Sequence, residues 1–217
     1  MEALYSVSHT DTEALKIGSF EVFTTYFLHQ LKSWLPEIEL KLYELTPGKM
    51  EESVGKGLID FGITYVPIPY EGVEFVEVGK LKMGVYKKTE SFINQELGEL
   101  PFVVPNFPLE GSPSGVKGLD SWPESAPDRK IKYRVDLMES ALALCREGHC
   151  AVFIPDFVAK IHNQISHSDY QLDQWNPPKN IADKIKNVVR TIYIVKRKSM
   201  EETAEIRKIA RWIRSLN

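Results

Sequence analysis

Cysteine is nearly absent: Cys145 and Cys150 are the only two in 217 residues. So sparse a pair does not make a disulfide-stapled secreted scaffold, and it suits a reducing cytoplasm. Long apolar runs are missing too. No stretch approaches the roughly 20 apolar residues of a membrane span. The N-terminal MEALYSVSHTDTEALKIG is acidic and polar where a signal peptide needs a basic start and an apolar core. A positive excess is also lacking, since 27 Lys and Arg stand against 30 Asp and Glu. Nothing here advertises direct binding to a phosphate backbone.

The common catalytic signatures are absent as well: there is no GxSxG elbow, Walker loop, GxGxxG turn or HExxH pair. The chain is expected to be a binder without a cofactor, not an enzyme. One pair, His149-Cys150 in EGHCAVFIP, invites a metal or nucleophile reading. Gly148 stands where the helix ending at Glu147 needs a left-handed cap, which makes His149 a turn residue and Cys150 the start of a buried strand. Zinc needs three or four ligands with supporting spacing, and His9, His29, His162 and His167 offer no such pattern. No catalytic or metal-ligating residue is expected.

What is present is a core and a rhythm. A hydrophobic content of 43% is enough for one large domain or two small lobes. After a polar, unpatterned start over residues 1–13, ALKIG reads as a strand. Phe20, Phe23, Phe27, Leu31 and Trp34 then recur at helical spacing up to Pro36. Ile38, Leu40 and Leu42 mark a second strand, Met50, Val54 and Leu58 a second helical face, and DFGITYV a third strand. This β-α-β-α-β order over residues 15–66 favours parallel pairing with helical crossovers. Two extended segments follow, VEFVEVG and KLKMGVYKK, and then a second series. It comprises a strand at 102–104, the strand KIKYRV at 130–135, a helix with Leu137, Ala141 and Leu144 on one face, and the strand CAVFI. A last strand, TIYIV, precedes a helix over 201–216 with Ile206, Ile209, Ala210, Ile213 and Leu216 in a stripe. That ending suits a chain returning to complete its first lobe.

Several polar features have plain structural explanations. GSPSG at 111–115 reads as a turn before it reads as an anion cradle. Arg207, Lys208, Arg211 and Arg214 form the solvated face of the last helix, and Glu51-Glu52 and Glu201-Glu202 belong to first helical turns. Geometry then points to function. In open α/β sheets ligands sit beyond the carboxyl ends of strands, which singles out the loops at 18–22, 45–49, 64–67 and 105–114.

The segments LKIGSFEVFTTYFLHQLKSWLPEIELKLYE, VGKGLIDFGIT and VDLMESALALCREGHCAVFIP resemble, in order and spacing, the effector-binding (substrate-binding) domain of LysR-type transcriptional regulators. The likeness runs over almost the whole chain from about Leu15. It departs at His149-Cys150, where the family has a small residue. The resemblance implies an α/β, two-lobed periplasmic-binding-protein-like (type 2) fold, each lobe a mixed sheet flanked by helices. Residues 1–13 would be residual linker, 14–89 plus 188–217 lobe 1, and 101–187 lobe 2, with crossovers near 88–101 and 187–191.

Carried over by position, the effector cleft would hold Ser19, Phe20, Glu21, Thr46, Pro47, Thr64, Tyr65, Pro105, Asn106, Ser112, Ser114 and Glu139. Hydroxyls and helix N-termini suit a carboxylate or other small anion, whereas Glu21, Glu110 and Glu139 could instead greet an amine. Further implied partners are a second copy in a homodimer, a tetramer at full length, and DNA through a winged helix-turn-helix outside these residues, in a cytoplasmic regulator with no membrane contact. The dimer would pack the helix at 20–35 against the partner's helix at 137–147, using an exposed face with Tyr26, Gln30 and Ser33. The alternatives are a transport-type solute-binding protein, an enzyme on the same two-lobed fold, and redox sensing by Cys145 and Cys150.

Overall fold

The computed structural model describes residues 14–26, 35–106, 116–186 and 188–214. Strand β1 (Leu15–Ser19) lies between β2 (Leu40–Glu44) and β3 (Phe61–Thr64), and both pairings are parallel. Parallel neighbours need a crossover. Helix α1 (Glu21–Tyr26) begins the first and α2 (Lys49–Gly55) forms the second. The expected continuation of α1 through Phe27, Leu31 and Trp34 falls outside the described residues.

The second helical face is shorter than its spacing suggested. Helix α2 stops at Gly55, a turn follows with Gly57 at φ 72°, and Leu58 is 62% exposed. Arg197 closes this end by donating from Nη1 to the carbonyls of Val54 and Ile59, both at 3.2 Å. Met50 and Val54 do face inward, and Met50 lies against the glycines of β1 and β3, Gly18 and Gly62.

The two extended segments after β3 are one strand. β4 (Val73–Lys88) runs 16 residues, with its register to β9 (Val188–Arg197) shifting between Glu77 and Gly79. It pairs with β9 from Val73 to Met83, with β7 (Val152–Pro155) from Met83 to Tyr86, and with β8 (Leu172–Gln174) from Tyr86 to Lys88, always antiparallel. The resulting order β2-β1-β3-β9-β4-β7 carries one sheet through the molecule. Beside it, β5 (Pro101–Pro105) and β6 (Lys130–Val135) pair in parallel. Ala151 ties β5 to the start of β7 through Val103 N–H to Ala151 O (3.1 Å) and Ala151 N–H to Pro101 O (2.7 Å).

Helices cover the sheet: α3 (Met138–Arg146), α4 (Asp156–Ile165), α5 (Lys179–Ile185) and α6 (Ala204–Arg214). Helix α6 buries Ile206, Ile209, Ala210, Trp212 and Ile213 while Arg207, Lys208, Arg211 and Arg214 stay exposed. Its start is later than expected. Thr203 Oγ1 accepts from Ile206 N–H at 3.3 Å and sets the first turn, so Glu201 and Glu202 precede the helix instead of facing its dipole.

Aromatic packing fixes the second half. Trp122 is edge-on to Phe102 and Phe153, with centroids at 5.7 and 5.0 Å, and the Arg129 guanidinium lies 4.3 Å from its ring. Arg129 is held in turn by Asp120, in an ion pair whose side chains are under a tenth exposed. Burying a ring of this size contributes roughly 1.5–3 kcal/mol. The cluster holds the 119–122 segment against β5 and β7.

At Glu147–Cys150 the chain turns as glycine demands. Gly148 has φ 80°, and its N–H donates to Cys145 O at 2.9 Å while His149 N–H donates to Leu144 O at 3.1 Å. His149 is exposed and Cys150 is buried.

Candidate functional site

Six strands end around one cavity of about 500 Å³. β1 delivers Phe20 and Glu21, β2 delivers Glu44 to Pro47, and β3 delivers Tyr65. From the other side come Val103 to Pro105 of β5, Val135 to Leu137 after β6, and Val152 to Pro155 of β7. Met138 and Ala141 of α3 complete that wall, and Leu119 and Asp120 bring in the Trp122 segment. Carboxyl ends of strands gather here because every crossover leaves its strand at that end.

Of the residues expected at the site, Phe20, Glu21, Thr46, Pro47, Tyr65 and Pro105 line this cavity. Phe20 and Tyr65 meet edge-to-face at 4.7 Å and form an aromatic wall with Phe23 behind. Thr46 lies before α2 and its carbonyl accepts from Met50 N–H at 3.0 Å. Asn106 is exposed beside Pro105, where its amide donates to Asp136 at 3.0 Å.

Ser19 and Thr64 point elsewhere. Both are fully buried: Ser19 Oγ donates to Ile63 O at 2.9 Å, and Thr64 Oγ1 accepts from Val66 N–H at 2.9 Å. Their hydroxyls hold the first half together and are not among the cavity lining. Ser112 and Ser114, like Glu110, fall outside the described residues.

Across the cavity the two halves touch through acids. Glu21 on α1 accepts from the N–H groups of Met138 and of Glu139, the latter at 3.1 Å. Helix α3 has no side-chain cap of its own, because its N-cap residue is Leu137. A carboxylate from the opposite wall therefore satisfies the helix start and complements its dipole. Glu139 does not line the cavity. Its carboxylate accepts from Tyr26 Oη at 2.6 Å and pairs with Arg146 Nη1 at 3.1 Å.

Burial raises the Glu21 pKa above the ordinary carboxylate value. The two N–H bonds pull it back, and the charges of Glu44 and Glu139 push it up further. Burial, then the bond to Glu139, pushes the Tyr26 phenol far up, so this hydroxyl stays a donor. Tyr26 is itself 5% exposed, which removes it from the outward-facing interface surface expected of it. Its ring packs in the core and its hydroxyl reaches the neighbouring half. Gln30 and Ser33 lie outside the described residues.

The sequence reading passed over Val104, Leu137, Met138, Ala141 and Phe153, which make the apolar wall of the second half. Their signal was the same carboxyl-end rule applied to β5, β6 and β7. Among the described residues no group of three or more His, Cys, Asp or Glu is placed to hold a metal ion. No helix among them is long and apolar enough to cross a membrane.

A family model described as the LysR substrate binding domain matches residues 8–217. Among curated proteins none matches the chain. Of the solved structures, the sulfate-bound regulatory domain of an OxyR2 mutant from Vibrio vulnificus is 18% identical over 94% of this chain and 96% of its own, with TM-score 0.69. The cofactor-binding domain of the Cbl transcriptional regulator is 10% identical over 93% and 88%, with TM-score 0.70. Full-length CbnR in complex with its target DNA is 17% identical over 92% of this chain and 68% of its own, with TM-score 0.64.

Proposed function

The chain belongs to the LysR substrate-binding domain family, and on that premise we propose that it binds a small-molecule effector in the cavity between Phe20 and Phe153 and passes the binding on as a change of conformation. The observation that carries this reading is the convergence of six strand ends, from both halves, on one apolar cavity of about 500 Å³. A ligand touching both walls favours one arrangement of the halves over another. We assign residues 14–89 with 188–217 to one lobe and 101–187 to the other, joined near 88–101 and 187–191. The spine strand β4, which exchanges β9 for β7 at Met83, is then the element that must bend or slide.

The effector site proposed here keeps Phe20, Glu21, Thr46, Pro47, Tyr65 and Pro105 as walls. Ser19, Thr64, Asn106 and Glu139 support them from behind or from the rim. Binding, not turnover, is the reading the acids support. Of the candidate acid/base groups Glu21, Glu110 and Glu139, the first and last both spend hydrogen bonds on joining the halves, and Glu110 lies outside the described residues. In a full-length regulator, homodimers or tetramers of this domain would position DNA-binding domains; full-length CbnR, whose fold over this region is similar, is solved in complex with its target DNA.

A thermal-shift screen of metabolites against the wild type, Phe20→Ala and Thr46→Ala tests the reading, because a ligand of the folded state raises the melting temperature by mass action. Ligands that stabilise the wild type and lose their effect in both variants are expected. Hits indifferent to both substitutions would remove the cavity as the effector site.

A further inference from the structure

We propose that the effector is a small hydrophobic amine, and that Glu21 is the residue that turns carboxylates away from the cleft. This rests on the cavity being the effector site. The body of such a ligand has its surroundings in Phe20, Tyr65, Val104, Leu137, Ala141 and Phe153. Its charge follows from an inventory of the polar groups that remain.

Several of the donors that could hold an anion are in use. The start of α3, the natural anion anchor of the second half, is taken by Glu21 through the N–H groups of Met138 and Glu139. The hydroxyls of Ser19 and Thr64 are buried in bonds to their own half. Asp120 occupies the Arg129 guanidinium at 2.5 Å. Among the described lining residues Lys49 is the one base, and it is exposed.

Acceptors, in contrast, are in surplus. Glu44 accepts from Thr24 Oγ1 at 2.8 Å and Asp136 from Asn106 Nδ2 at 3.0 Å, so each line-of-cavity carboxylate keeps lone pairs unspent. The Glu21 pKa is raised chiefly by burial, and the charges of Glu44 and Glu139 push it up further. A ligand carboxylate would add to that repulsion, whereas an ammonium relieves it. Tyr65 also lines the cavity and is only 5% exposed, and burial keeps its phenol protonated. Its hydroxyl can accept from an ammonium or donate to a carboxylate, so the choice between them falls to the charged lining residues.

Three probes sharing one apolar body separate the possibilities: 2-phenylethylamine, 2-phenylethanol and phenylacetate, titrated calorimetrically at pH 7 and constant salt. The amine is expected to bind the wild type at least about tenfold more tightly than phenylacetate, with the alcohol between. Glu21→Gln should cut the amine-to-carboxylate ratio by about tenfold. Glu44→Gln, a change on an exposed side chain that leaves the α3 cap in place, should cut it in the same direction. Equal or tighter binding of phenylacetate by the wild type overturns the proposal, as does an unchanged ratio in both variants or no binding by any probe at millimolar concentration. A different metabolite that binds and is lost in Phe20→Ala would sink the amine while keeping the cleft. Failure of every ligand to respond to Phe20→Ala would sink the cleft reading itself.

Discussion

The carboxylate of Glu21 and the backbone N–H of Glu139 lie 3.1 Å apart, although 118 residues separate them in the chain. A helix start in one half is thus completed by a side chain from the other. Together with the Met138 N–H, which donates to the same carboxylate, the bond acts on stability and on the arrangement of the halves at once.

Glu21→Ala is expected to lower unfolding free energy by about 1 kcal/mol, the usual worth of an N-cap acceptor. Tyr26→Phe, which deletes the donor to Glu139, should cost about 0.5–1.5 kcal/mol. Urea denaturation measures both. Unchanged midpoints in the two variants would show that the cross-cavity bonds contribute nothing.

Glu51 should make stability fall as pH rises. It is fully buried and accepts from Gly48 N–H at 2.6 Å and Ile68 N–H at 3.1 Å. Burial outweighs these bonds and raises its pKa above the unfolded value of about 4.3. Between those two values the folded state holds more protons than the unfolded state. Its contribution is therefore complete below about pH 4.3 and is lost as pH climbs through the raised folded value. The stability difference between wild type and Glu51→Gln should drift against the wild type from pH 4 to 7, and a flat difference contradicts the assignment.

Two glycines should respond oppositely to the same methyl group. A Cβ on Gly18 would sit 2.5 Å from Ile59 Cδ1 and 3.2 Å from Leu45 Cδ1, whereas one on Gly98 meets nothing within 4 Å. Gly18→Ala is expected to cost about 1–3 kcal/mol by overpacking. Gly98→Ala should be neutral or stabilise by up to about 1 kcal/mol through the unfolded chain. Thermal melts of the pair decide it.

The thiols should be silent in the native protein. Cys145 and Cys150 are free and fully buried; burial pushes the Cys150 thiol up to about 12 and Cys145 higher still. Since the thiolate is the reactive form, iodoacetamide and peroxide should leave both thiols countable until urea is added. Rapid native labelling of either would revive a redox role.

Local signals carried much of the fold. The 3.6-residue spacing of Ile206, Ile209 and Ile213, the β-α order through Thr64, and the glycine that turns the chain at 148 each depend on a few neighbouring residues, and each is visible in the structure. The Phe20–Tyr65 wall was legible for the same reason, as residues that follow strand ends.

By itself, then, the sequence determined most strands and helices up to β7 and the closing strand and helix, though not α4, β8 or α5, and where strand ends deliver Phe20, Thr46 and Tyr65, because backbone preference and apolar period are properties of adjacent residues. Tertiary structure alone decided that VEFVEVG and KLKMGVYKK join into one 16-residue strand. It also decided that Ser19 and Thr64 spend their hydroxyls inward, and that Glu21 caps a helix 118 residues away. Those outcomes depend on which surfaces meet. A hydrogen bond goes to whatever partner the completed fold brings within 3 Å or so, and no spacing along the chain encodes that distance.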